Sequence, residues 1–384
     1  MTEIADILIS LIKNCIVGPN DRGIDYQSLS EEQLNALLNL AKKQSLLPII
    51  VVELDKFSDS FQYSIKEKIR NAQFSSLYAH EKLVYELESI CEVFEKEKIP
   101  YIKLKGSRIK AFYPEPWMRT SGDLDILVKE EDISRAIKVL VSRLKYYKKT
   151  ENFHDISLYS QSGVLLELHF NIQEDINNLN IVLNKVWEYS SKNIDSYEYL
   201  QTEEFFIFHQ IAHMAYHFIN GGCGIRPFID VYLLQRKMEY DEDKVRKLCK
   251  EASIETFYDA VLQLIDVWFG DTQHNTLTKM LEEFIMNGGT FGDQINKLSL
   301  KENNIKKEYQ YLWKRLFVSY DILKISYPVL EKHRYLMPFC QIHRWYGFLK
   351  KRININSDKQ NKKVKVDLDY VQTVGKLLDE LDLK

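Results

Sequence analysis

The sequence predicts an α+β chain, with a small mixed sheet set between two helical regions. Apolar residues recur at helical spacing through the first hundred residues and lose that spacing near Pro100. Short runs with period-two alternation follow, to about residue 175. Helical spacing then returns and continues to the end. These changes divide the chain into an N-terminal helical region (1–98), a mixed-sheet core (99–175) and a C-terminal helical region (176–384).

In the first region, Ile4, Ile7, Leu8, Leu11 and Ile12 form one helical face. Ser28-Leu29-Ser30-Glu31-Glu32 offers a cap and an acidic first turn to a second helix. A long helix is expected from about Ser60 to Lys98. No chemistry is visible here, and the region reads as a helical cover for the sheet.

The core is expected to open with a strand at 101–104 and a short helix from Ser107 to Phe112. The Pro114-Glu115-Pro116 loop then leads to a strand, Asp123-Leu124-Asp125-Ile126-Leu127-Val128. A helix carrying Ile133, Ala136, Ile137, Leu140, Val141 and Leu144 on one face comes next. Strands at Ile156–Ser160 and Gly163–Phe170 flank a hairpin turn at Gln161-Ser162. From about Asp175 the reading is helical throughout, with helices near 203–219, 228–239, 242–252, 255–269 and 275–286. The aromatic-dense stretch 301–355 reads as core, with a base-stacking groove as the alternative.

Composition narrows the class. At 384 residues, 45% hydrophobic and 28% charged, the chain is an ordinary globular protein with room for two or three units. A net charge of −3 argues against a general nucleic-acid binder. The five cysteines are scattered without a CxxC pair, which fits neither a disulfide framework nor a zinc ribbon. No apolar stretch approaches the ~20 residues of a membrane span, and the N-terminus lacks the pattern of a signal peptide. A cytoplasmic protein without membrane contact is expected.

The chemistry concentrates in the core. In a strand Leu124, Ile126 and Val128 face one way, and Asp123 and Asp125 the other. In the later strand Val164, Leu166, Leu168 and Phe170 form the apolar face, and Glu167 shares the opposite face with Leu165 and His169. Neighbouring aspartates repel each other and lose hydration, penalties that a bound cation removes. Mg²⁺ suits such a set because it takes a few carboxylates, waters and substrate phosphates, with Mn²⁺ as the substitute. Asp123, Asp125 and Glu167 are therefore the candidate metal ligands and catalytic residues, with Glu167 completing a second metal site or accepting a proton. Gly106 lets a phosphate approach the backbone, and Ser107 can cap a helix or donate its hydroxyl to a phosphate. Lys105 and Arg119 add positive charge nearby. His169 is read as orienting Glu167, contacting a phosphate, or simply packing as a neutral ring.

Gly106-Ser107, the Asp-x-Asp between apolar residues and the later strand carboxylate together resemble the nucleotidyltransferase superfamily, the fold of DNA polymerase beta. A closer resemblance is to the family of uncharacterised bacterial nucleotidyltransferases. It extends over Leu104-Lys105-Gly106, Tyr113-Pro114-Glu115-Pro116, Arg119, Asp123–Val128 and Glu167-Leu168-His169, and further to His213-Met214-Ala215-Tyr216-His217 and Arg226-Pro227-Phe228-Ile229-Asp230. The resemblance implies a nucleotidyltransferase core that moves a nucleoside monophosphate from a triphosphate, metal-dependently, to an acceptor that the family does not identify: a small molecule, a protein or an RNA. Fifteen residues separate Ser107 from Asp123, more than is usual in the superfamily, so the pocket rim is expected to differ.

Outside the core, His209, His213 and His217 lie four apart on one helical face. They read as a structural metal site, as a pocket lining, or as hydrogen-bonded core histidines. Arg226 is expected to approach the triphosphate or to pair with Asp230, with pairing favoured. The basic stretch 350–365 reads as a solvated linker or as a landing strip for an anionic acceptor. A non-catalytic nucleotide-binding module that keeps the fold is the alternative function, disfavoured because such a module has little use for three clustered carboxylates.

Overall fold

The computed structural model describes residues 3–19, 24–151, 154–174, 176, 178–288, 320, 323, 327–345 and 368–383. The basic stretch 350–365 lies outside the described residues, and so does most of the aromatic-dense stretch before it.

Helices α1 (Glu3–Ile16), α2 (Glu31–Lys43) and α3 (Leu47–Asp55) precede the long α4 (Tyr63–Lys96). Ser30 caps α2 with a reciprocal Gln33 contact, so the expected start signal is the one used. Helix α4 is 34 residues long, about 50 Å at 1.5 Å per residue. It joins two cores: Ile65 and Ile69 lie in one, and Leu83, Ile90, Val93 and Phe94 in the other.

The sheet has five strands in the order β1-β2-β5-β4-β3. They are β1 (Tyr101–Lys103), β2 (Asp123–Val128), β3 (Tyr147–Glu151), β4 (Asp155–Tyr159) and β5 (Leu165–His169). β2 and β5 run parallel, and the other pairs are antiparallel. Between β1 and β2 lies the four-residue α5 (Gly106–Ile109), which tightens into a 3₁₀ turn at Lys110–Phe112. Between β2 and β3 lies α6 (Ile133–Leu144). One sheet face carries Leu124, Ile126, Leu166, Leu168, Ile156 and Leu158 into a core with α4 and α6.

The other face, which carries the partly exposed Asp123, Asp125 and Glu167, is buried at its Ile102–Leu127 end. Ile102 and Leu127 belong to the second, larger core, which unites the helices before and after the sheet. Leu8, Leu11 and Leu54 share it with Phe206, Ile211, Phe228 and Phe284. After β5 come α7 (Leu179–Leu183), a two-stranded sheet of β6 (Ser190–Lys192) and β7 (Tyr199–Gln201), then α8 (Glu203–Ile219), α9 (Arg226–Lys237), α10 (Glu242–Glu251), α11 (Glu255–Phe269), α12 (Thr276–Gly288) and a terminal helix, Leu368–Glu380.

The sequence reading missed three strands. β3 is a lysine-rich edge strand with no apolar alternation, and β6 and β7 are three polar-leaning residues each, inside a region expected to be wholly helical. Their pairing comes from tertiary contact, which leaves no periodic mark in the sequence. Among the described residues no helix is long and apolar enough to cross a membrane, and all five cysteines are free thiols.

Candidate active site

The parallel pairing of β2 and β5 aligns Asp123 with Leu165, Asp125 with Glu167 and Leu127 with His169. Side chains alternate along each strand, so Asp123, Asp125, Glu167 and His169 share one face. β4 adds to it, because Ser157 pairs with Glu167 and Asp155 with His169. Asp155 is a fourth carboxylate that the sequence reading passed over. Its alternation with Ile156 and Leu158 was the available signal, hidden because the strand starts one residue earlier than expected.

His169 holds this face together. Its ring is buried, with Nε2 2.9 Å from Asp125 Oδ1 and 3.8 Å from Glu167 Oε2. It stacks parallel on His154 at 5.7 Å between centroids. Asp125, Glu167 and His169 bring one donor atom each within 4.8 Å of one another, a spacing that fits a metal ion. Asp123 is not in that trio, although it interacts electrostatically with Asp125 and Glu167.

The environment gives the carboxylates different proton affinities. Burial opposes the Asp125 charge, but the Lys105 ammonium and the His169 hydrogen bond outweigh burial and hold this carboxyl well below the usual range. Asp123 is raised by burial and by the Asp125 charge. Glu167 is pushed up to about 8, first by burial and then by Asp125, Asp123 and Asp155.

Lys105 follows β1 directly. The Leu104 amide donates to the Asp125 carbonyl at 3.0 Å, which fixes the turn beside the aspartates. Lys105 then takes φ 37° and ψ −111°, a conformation that costs a non-glycine residue roughly 1–3 kcal/mol. Its ammonium faces Asp125, Asp123 and Glu167.

The Gly106-Ser107 turn has a tighter constraint than phosphate approach. A Cβ on Gly106 would lie 2.6 Å from Arg119 Nη1 and 2.9 Å from Ser121 Oγ. Arg119 is itself buried, donating from Nε to Asp230 Oδ1 at 2.8 Å and from Nη2 to Oδ2 at 2.7 Å. Tyr113 donates to the same carboxylate at 2.8 Å. The favoured Arg226–Asp230 pairing is thus not formed. Arg226 Nη1 donates instead to the Thr120 carbonyl at 2.9 Å, and Arg226 Nε is buried without a hydrogen-bond partner among the described residues.

Lys110 is a further cation that the sequence reading did not single out. It is 8% exposed and forms no salt bridge among the described residues. Burial and the Arg119 charge push its ammonium down to about 8, while Asp123 works the other way. Its place three residues after Ser107, on the same side of a helical turn, was a legible signal.

The three histidines of α8 are hydrogen-bonded. His209, buried and neutral, has its pKa pushed down to about 3 by burial and Lys105, and its Nδ1 lies 3.5 Å from Gln201 Nε2. His213 Nδ1 is 3.0 Å from Glu174 Oε1, and its Nε2 is 2.8 Å from His217 Nε2. His209 and His213 both sense Lys105 and His169, so the row faces the carboxylates. Among the described residues it is not itself a three-donor metal cluster.

The model of a family described as uncharacterised nucleotidyltransferase matches residues 30–270, which takes in the sheet, the α8 histidines and the Arg119–Asp230 pair. No curated protein and no solved structure gives a match. With well over half its length under that model, the chain belongs to the uncharacterised nucleotidyltransferase family.

Proposed function

We propose that the protein transfers a nucleoside monophosphate from a triphosphate to a hydroxyl acceptor, with a divalent metal ion. The observation that carries this reading is the register of β2 and β5, which sets Asp125 against Glu167 with Asp123 on the same face. Three carboxylates so placed repel one another, and a cation that also binds phosphate resolves the repulsion.

Asp123, Asp125 and Glu167 would hold Mg²⁺ or Mn²⁺, which when bound neutralises phosphate charge and lowers the pKa of a bound oxygen. Ser107, the Gly106 turn, Lys105, Lys110 and Arg226 receive the phosphates. Arg119 serves them at one remove, by fixing the Gly106 turn through Asp230. His213 and His217 line the acceptor side. The acceptor hydroxyl gives its proton to Glu167 while its oxygen bonds to the α-phosphorus. The bond from that phosphorus to the bridging oxygen breaks, and pyrophosphate leaves.

Incubation with each labelled nucleoside triphosphate, Mg²⁺ and cell extract tests the reading. A labelled acceptor and released pyrophosphate are expected. Glu167→Gln should reduce turnover by ~10²-fold or more. Release of inorganic phosphate alone, with no labelled product, would overturn it.

A further inference from the structure

We infer that the ion held between β2 and β5 is a first-row transition ion rather than magnesium, and that His169 Nε2 is one of its direct ligands. The inference rests on the metal-dependent reading above and specifies which class of ion the site selects.

The donor spacing comes first. Nε2 of His169 stands 2.9 Å from Asp125 Oδ1 and 3.8 Å from Glu167 Oε2. Adjacent ligands of a six-coordinate ion with bonds near 2.1 Å lie about 3 Å apart. The imidazole therefore sits at ligand spacing from one carboxylate and within a small side-chain adjustment of the other. An ion entering between Asp125 and Glu167 meets the ring nitrogen as its third donor.

The tautomer allows this. His169 Nδ1 is buried and has no hydrogen-bond partner among the described residues. A donor aimed at Nδ1 would force the ring proton onto Nε2 and remove its lone pair. Among the described residues no such donor is aimed at Nδ1, so when an ion displaces the Nε2 proton shared with Asp125 Oδ1, the ring proton can move to Nδ1 and Nε2 can ligate. The ring is also held in place, buried at 4% exposure and stacked on His154 at 5.7 Å. A fixed nitrogen donor suits ions that accept imidazole. Magnesium prefers oxygen ligands and keeps its waters.

Full-length protein at neutral pH is titrated with Mn²⁺ and with Mg²⁺ by calorimetry, with and without a non-hydrolysable nucleoside triphosphate. Bound Mn²⁺ is then examined by pulsed electron paramagnetic resonance, in natural-abundance protein and in protein with ¹⁵N-labelled histidine. Mn²⁺ is expected to bind more tightly than Mg²⁺, which prefers oxygen ligands and keeps its waters. The resonance should show coupling to a directly bound nitrogen that changes with the isotope. His169→Gln should weaken Mn²⁺ by at least the roughly 10–100-fold that losing an outer-shell partner costs, leave Mg²⁺ nearly unchanged, and abolish the nitrogen coupling. Bound Mn²⁺ without nitrogen coupling in the unaltered protein overturns the His169 assignment and leaves the metal-dependent reading standing. Failure of both ions to bind, with or without the triphosphate, overturns both.

Discussion

Asp125 and Glu167 face each other across the parallel β2–β5 pair, and they hold protons with opposite strength. Asp125 takes the His169 hydrogen bond and the Lys105 field, which keep it ionised. Glu167 sits in the field of that anion, and its affinity rises to about 8. Two like groups beside a lysine-bearing turn thus divide into a permanent anion and a group that ionises near neutrality, the division of labour that acid–base chemistry needs.

The divided pair makes the metal-free protein sensitive to pH. Folded Glu167 keeps its proton up to about pH 8, whereas in the unfolded chain it loses it near its ordinary value of 4.5. Between those values the folded state binds more protons, so this contribution, complete below the lower value, is lost as pH rises through the upper one. The Tm of metal-free protein should fall between about pH 5 and 8, and Glu167→Gln should flatten that slope. A slope that survives the substitution would assign it to another group.

Metal binding depends on the aspartates. Asp123→Asn and Asp125→Asn each remove one of the charges whose repulsion the ion relieves. Metal-dependent triphosphate binding should be lost in both while the circular dichroism spectrum is retained. Asp125→Asn should also turn the 2.9 Å His169 hydrogen bond from charge-assisted to neutral, so its metal-free Tm should change more than that of Asp123→Asn. Unchanged calorimetric binding in both variants would place the ion elsewhere.

The carboxylates were legible in the sequence because a strand's period of two fixes which side each residue takes, and neither Asp123 nor Glu167 needed a partner to be located. The long helices were legible for the same reason at period 3.6, and α8 and α11 follow the expected ranges closely. What escaped depends on chain segments far apart in sequence. Asp230 lies 111 residues from Arg119, and nothing local favours Arg119 over the much nearer Arg226 as its partner. The packing of Ile102 and Leu127 against helices from both ends of the chain was equally invisible, since an amphipathic stripe says that a face is buried and not against what.

Lys110 should act on phosphate and not on the nucleoside. Its buried ammonium has no salt bridge among the described residues and stands near Arg119 and Arg226, so an anion entering there gains more than one in water. Lys110→Met keeps the stem and removes the charge. Triphosphate affinity should fall by about tenfold or more, the scale of one charge-assisted hydrogen bond, with little change for the nucleoside. Lys110→Arg should recover part of the loss. Equal losses for both ligands would indicate a damaged pocket instead.

Gly106 and Asp230 should prove coupled although they lie on different elements, because both act on the Arg119 guanidinium. Gly106→Ala pushes a methyl to within 2.6 Å of Nη1 and should cost about 1–3 kcal/mol. Asp230→Ala leaves Arg119 buried without its carboxylate and should cost about 3–5 kcal/mol. Once Asp230 is gone the guanidinium is free to swing away, and the added methyl then meets less resistance. The double variant should therefore be more stable than the sum of the single losses implies, by about 0.5–3 kcal/mol in urea unfolding. Strict additivity would mean that the turn holds its shape without Arg119, and the close approach at Gly106 would then need another explanation.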